Sequence, residues 1–237
     1  MFVDEHEYTI GRISCQKVVF HYLVPLFCNL YLLNFLAHFY LAYGDDDRLV
    51  GQFIADAITG KQYQNYSPSI QAAIFQHREI DQLTDQHEAT LRLRSIIRPE
   101  IGLLSSVAID IFMDHILAVE WNTYHAEPLP LFAKNVYKTL KNNHDLLPER
   151  MQHTLKYMEK HDWLSGYAEE EGIRRSLNGL SRRVSGGEKL NLAAEMFVSL
   201  KPDIKVTFHA VFKDLSDMIK RRIEDTNQPK LDSNHYY

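Results

Sequence analysis

Asp114 and His115 stand inside an apolar helical run that extends from Ile101 to Trp121. Apolar residues recur there at Leu103, Val107, Leu117 and Trp121, the period of a helix. Asp110 and Asp114 fall on the same stripe, where that pattern calls for Leu or Val. Burying a carboxylate costs on the order of several kcal/mol unless a cation or hydrogen bonds compensate. The same anomaly recurs upstream. Ile70, Ala73 and Ile74 define an inner helical face, and its continuation by threes and fours is His77, Asp81, Thr84 and Asp85. His77 and Asp81 are one helical turn apart and can meet a common ligand. Asp56 shares a face with Leu49, Gln52 and Phe53, and the neighbours of His38 at helical spacing are apolar except Asn34.

Four helices thus each direct His or Asp inward: His38, Asp56, His77 with Asp81, and Asp110 with Asp114 and His115. One inward His is ordinarily a hydrogen-bonded core residue, and one inward Asp a cap or an ion-pair partner. Several such carboxylates on facing helices repel one another, and a bound cation balances them. Arg78 follows His77 directly, but about 100° round the helix. Nitrogen and oxygen donors without Cys suit Mn, Fe, Zn or Mg, and helical bundles build metal sites from facing helices in this way.

The elements that must carry these groups are helical. The periods predict helices over 33–43, 47–59, 68–90, 100–124, 129–143, 146–160, 169–183, 187–199 and 202–224. Breakers fall at Gly44-Asp45, Gly60, Ser67-Pro68, Pro99, Pro128 to Pro130, Pro148, Gly186-Gly187 and Pro202. No series of alternating strands appears. The expected fold is all-α, a single-domain multi-helix bundle over 33–222, with a polar, aperiodic tail over 223–237 expected to be disordered.

At 237 residues, 45% hydrophobic and 24% charged, the chain can bury a real core. Its net charge of −5 argues against a general nucleic-acid binder. The two cysteines, Cys15 and Cys28, make no disulfide framework, so a reducing cytoplasm is the default compartment. Val18 to Tyr43 is apolar, but His21, Pro25, Asn29, Asn34 and His38 argue against a membrane span. Met1 to Lys17 lacks the basic flank of a signal peptide. Ser185-Gly186-Gly187-Glu188 looks like part of an ABC-ATPase signature, but no phosphate-holding Gly-x-x-x-x-Gly-Lys-Ser/Thr loop accompanies it.

Five segments in order resemble the acyl carrier protein phosphodiesterases, a divergent branch of the HD-type metal-dependent phosphohydrolases. They are Asn34-Phe35-Leu36-Ala37-His38, Gly51-Gln52-Phe53-Ile54-Ala55-Asp56, His77 to Asp85, Met113-Asp114-His115-Ile116-Leu117, and Leu177-Asn178-Gly179-Leu180-Ser181-Arg182-Arg183. The chain departs from the HD pattern in reading Asp114-His115 rather than His-Asp. The resemblance implies an HD-phosphohydrolase-like fold and a divalent metal, Mn²⁺ foremost. It implies hydrolysis of the phosphodiester between 4′-phosphopantetheine and a serine of holo-acyl carrier protein, an acidic partner. The family typically begins Met-Asn-Phe-Leu-Ala-His, where this chain has Leu33 before Asn34. Residues 1–32 are therefore expected to be upstream translation, with a natural start at 33.

On this reading His38, Asp56, His77 and Asp114 hold one or two ions, with Asp81 and His115 as further ligands. Asp81 or Asp85 orients the attacking water or acts as general base. Arg78 offsets transition-state charge, and Arg182 and Arg183 contact phosphate or partner. Arg92-Arg94-Arg98, Arg174-Arg175 and Lys220-Arg221-Arg222 are further basic clusters for docking. The alternatives are a metal phosphohydrolase for a nucleotide or another small phosphodiester, and a non-catalytic helical binding module.

Overall fold

The structure, a computed structural model, describes residues 35–182 and 184–227, with side chains as far as residue 222. Helix α1 (Phe35–Ala42) is apolar nearly all round, and six of its eight residues are buried. Such a helix belongs in the interior. Helix α2 (Asp46–Ile54) opens on Asp45, whose side chain accepts the Arg48 N–H, with Asp46 and Asp47 in its first turn. It closes in a 3₁₀ turn, Ala55–Ala57, that carries Asp56. Helix α3 (Pro68–Gln86) opens with Ser67 accepting the Ile70 N–H and Pro68 in the first turn. Helices α2 and α3 pack closely because position 51 is Gly. A Cβ there would lie 2.4 Å from the Ala73 Cβ and 2.9 Å from the Ile70 carbonyl oxygen.

The helix expected over 68–90 is two helices. His87 is extended and its Nδ1 accepts the Ala89 N–H, capping α4 (Glu88–Ile101). A cap made by His carries no Ser, Thr, Asp or Asn signature. Pro99 falls inside the last turn of α4, and the helix stops instead at Gly102, whose φ of +64° suits glycine. Helix α5 (Ser105–Val119) follows, then α6 (Trp121–Tyr124), α7 (Leu129–Asn142), α8 (Glu149–Lys160), α9 (Trp163–Gly166), α10 (Glu170–Ser181) and α11 (Leu190–Asn227). The two helices expected on either side of Pro202 are one, since α11 runs through it. Proline removes the hydrogen bond to the carbonyl four residues back. That residue, Val198, is 55% exposed, so water can reach the face where the bond is lost. Helix α11 also runs past the boundary expected at 222.

Helix α5 is the central element. Eleven of its residues are buried, and it packs against α1, α4, α10 and α11. No strand occurs among the described residues, and the all-α, multi-helix single-domain fold is as expected. Phe39, Phe53, Phe112, Phe132, Phe197 and Phe208 are almost wholly removed from water. Each such ring contributes roughly 1.5–3 kcal/mol relative to exposure. Part of Glu88–Val119 is long and apolar enough to cross a membrane, but 72% of that window is buried within the fold, as in a core helix. Residues 1–32, the start expected at 33, both cysteines and Arg183 lie outside the described residues.

Candidate metal centre

His38, His77 and Asp81 converge, each offering a ligand atom, with those atoms within 4.8 Å of one another. Helix α1 delivers His38, and α3 delivers His77 and Asp81 from successive turns. The two imidazoles stack at 4.0 Å between centroids and 20° between planes. Both present Nε2 to one carboxylate: His38 Nε2 lies 3.2 Å from Asp81 Oδ1, and His77 Nε2 lies 3.2 Å from Asp81 Oδ2. Asp56, on the 3₁₀ turn after α2, adds an oxygen 3.3 Å from His77 Nε2. The histidines are buried, whereas the Asp81 side chain is 40% exposed and that of Asp56 21%. The cluster therefore opens to solvent along its carboxylates.

Gln52 sets the orientation of His38. Its Oε1 lies 2.8 Å from His38 Nδ1, while its Nε2 donates to the Ala73 carbonyl and to Gln76 Oε1. The amide oxygen can only accept, so His38 donates through Nδ1 and turns Nε2 toward Asp81. A neutral His38 would then set a lone pair against a carboxylate. A cation at that position resolves the conflict. His77 Nε2 faces two carboxylates, and its Nδ1 is buried without a hydrogen-bond partner among the described residues. Burial opposes its charge, but Asp81 and Asp56 together hold its pKa well above the ordinary range. Asp81 is driven the other way, because His77 and His38 outweigh its burial and pull its pKa down. The donor set, two imidazoles and the Asp81 carboxylate around one point with Asp56 beside His77, fits a divalent ion such as Mn, Fe or Zn.

Other expected site residues lie elsewhere. Asp114 spends its carboxylate on the opening of α1: Oδ2 accepts the Leu36 N–H at 2.9 Å and Oδ1 the Ala37 N–H at 3.0 Å. These are first-turn amides with no acceptor inside their own helix. Asp114 thus holds the helix that bears His38. Burial still raises its pKa to about 7 against those two bonds. His115 is turned away from the cluster, with Nδ1 2.7 Å from the Tyr167 carbonyl oxygen and its ring edge-on to Phe197. Successive helical residues project about 100° apart, which separates the pair. Asp85 is tied to Arg94, which binds both its carboxylate and, at 3.2 Å, its carbonyl oxygen. Neither Asp85 as a free base nor Arg94 as a docking cation matches that arrangement.

Arg78 points along the surface, donating to the Ile58 carbonyl at 3.0 Å, with its guanidinium 5.6 Å from the Phe75 ring centre. It braces the turn that carries Asp56. Arg182 is exposed at the end of α10, which packs on α5, α9 and α11. Gln52 is the residue sequence reasoning passed over. Its place on the face shared with Asp56 was the only signal. Asp110 lies within the field of Asp85, Asp81 and Asp114; burial first and those charges next raise its pKa well above the usual carboxylate range.

The family model described as acyl carrier protein phosphodiesterase matches residues 33–215. Three proteins named acyl carrier protein phosphodiesterase are similar to the chain. That of Enterobacter sp. (strain 638) is 33% identical over 152 residues, 64% of this chain and 79% of the relative. That of Photorhabdus laumondii subsp. laumondii is 31% identical over 155 residues, 64% of this chain and 77% of the relative. That of Yersinia enterocolitica is 31% identical over 152 residues, 64% of this chain and 79% of the relative. No solved structure matches the chain.

Proposed function

The chain belongs to the acyl carrier protein phosphodiesterase family, and on that premise we propose that it hydrolyses the phosphodiester joining 4′-phosphopantetheine to a serine of holo-acyl carrier protein. The products are apo-acyl carrier protein and 4′-phosphopantetheine. The observation that carries the reading is the convergence of His38, His77 and Asp81, with Asp56 beside His77. A divalent ion, Mn²⁺ foremost, held there would polarise phosphoryl oxygens and lower the pKa of a bound water.

The chain's own residues supply the rest. Gln52 fixes the His38 ring, Asp114 holds α1, and Arg78 braces the Asp56 turn. Asp81, joined to both histidines and open to solvent, is the carboxylate best placed to orient the incoming water. Inward His and Asp from several helices also agree with kinship to the HD-type phosphohydrolases. The reducing cytoplasm is the compartment in which this substrate would be met.

The test is direct. The purified protein is incubated with holo-acyl carrier protein and Mn²⁺, and the carrier is followed by intact mass. Apo-carrier accumulates with Mn²⁺ and not with excess chelator. Holo-carrier left intact by the Mn²⁺-loaded protein, while a chromogenic diester is cleaved, would move the substrate to a small phosphodiester.

A further inference from the structure

We infer that the exposed ridge of α3 beside the candidate metal centre, Phe75 with Arg78 and Gln82 and with Lys61 and Arg222 at its flanks, is the docking surface for an acidic carrier protein. The inference rests on the substrate proposed above and adds where that substrate sits.

The chemistry of the scissile bond restricts the location. The phosphorus hangs on a serine side chain, a few covalent bonds from the carrier's backbone. No long arm separates it from the carrier's surface, so the carrier must touch the rim of the metal centre. That rim is where Asp81 and Asp56 meet solvent. Arg78 precedes Asp81 by three residues, so the two are neighbours on the helix surface. Phase along α3 carries the rim outward through Arg78 and Gln82 to Phe75.

The ridge is built for contact. Phe75 is 46% exposed. It is held edge-on against Tyr63 at 4.9 Å, and Arg78 lies over it. Rigid aromatic and Arg side chains of this kind dominate binding energy at interfaces. Lys61 is exposed in the turn before Tyr63, and Arg222 of α11 is pinned to α3 by Glu79. Carboxylates on the adjoining part of α11 are already paired, Asp217 with Lys213 and Asp214 with His87. Glu79 offsets Arg222, so Arg78 and Lys61 are the cations this surface offers beside the aromatic platform. The rim carboxylates Asp81 and Asp56 would be offset by an ion held between them and the histidines. That arrangement suits an acidic partner. Arg182 closes α10, a helix far along the chain from the ridge, which packs against α5, α9 and α11. Helix α10 packs on α5, whose Asp114 meets α1 while His115 turns to Tyr167 just ahead of α10.

The test uses the full chain with Phe75→Ala, Lys61→Glu and Arg182→Glu, each checked by thermal melting. Lys156→Glu, the same charge reversal on exposed α8, serves as control. Cleavage of holo-carrier and its binding, by calorimetry, are measured side by side. Phe75→Ala and Lys61→Glu should raise KM and Kd about five-fold or more at low salt, with kcat within about two-fold. The Lys61→Glu effect should shrink as salt rises, and the control should behave as the wild type. Unchanged KM and Kd in both ridge variants overturn the docking surface, as does a rise confined to Arg182→Glu. Wild-type protein that binds holo-carrier through the ridge without cleaving it overturns the activity and leaves the docking surface standing.

Discussion

Asp114 and His115 are sequence neighbours that serve different faces of α5, about 100° apart. The Asp114 carboxylate accepts amides of α1, while the His115 ring meets the Tyr167 carbonyl. The doublet therefore supports the helix that bears His38 and is not itself part of the His38, His77 and Asp81 cluster. His38 keeps its place because Asp114 holds the end of the helix that carries it.

Asp81 is the carboxylate common to both histidines. Asp81→Asn should abolish Mn²⁺-dependent thermal stabilisation and hydrolysis together. A ligand at one hundred times its Kd stabilises a fold by about 2.7 kcal/mol, so the wild type should show a clear rise in Tm with Mn²⁺. A full rise retained in the variant would place the ion elsewhere.

Gln52 makes a subtler prediction. Gln52→Leu keeps the volume but removes the acceptor for His38 Nδ1. Loss of such a supporting contact typically costs 10–100-fold in metal affinity. Titration of chelator-stripped protein with Mn²⁺ should show the loss, and unaltered affinity would mean that the His38 ring is held by packing alone.

Gly51 should tolerate no side chain. The Cβ of Gly51→Ala would meet the Cβ of Ala73 and a backbone oxygen of α3, neither of which can swing aside. Overpacking of this kind costs about 1–3 kcal/mol. Urea denaturation should show the deficit. Gly179→Ala, where a Cβ would meet nothing within 4 Å, should be far milder.

Asp114 gives a pH signature. Its pKa in the fold is about 7, raised above its unfolded value by burial. The native state therefore holds a proton that the unfolded chain releases near pH 4. The associated stability is complete below that range and is lost as pH rises toward 7. Asp114→Asn titrates nowhere, so its stability relative to wild type should increase from pH 5 to pH 8 by on the order of 2 kcal/mol. Melting both proteins in chelator at a series of pH values checks this, and a constant difference would refute it.

The helical class and the inward His and Asp residues were legible because both depend on the 3.6-residue period alone. His38, His77 and Asp81 meet because each lies on an apolar stripe that tertiary packing turns to the core. The period cannot tell which neighbour a buried carboxylate faces. Asp114 accepts amides 77 and 78 residues away, and Asp85 finds Arg94 on the next helix. Both partnerships exist only once the helices pack. The break at His87 and the passage through Pro202 were missed for local reasons. An imidazole acted as a cap in the first, and in the second the bond is lost beside the exposed Val198.

The cap on α1 also bears on how the protein is made. Every candidate ligand, from His38 to Asp81, leaves the ribosome before Asp114 does. Chains emerge at roughly 5–20 residues per second, N-terminal part first. For the first seconds of its existence, then, the nascent chain offers the ligands with α1 unanchored. An ion held by those residues would meet a finished site only once α5 has packed.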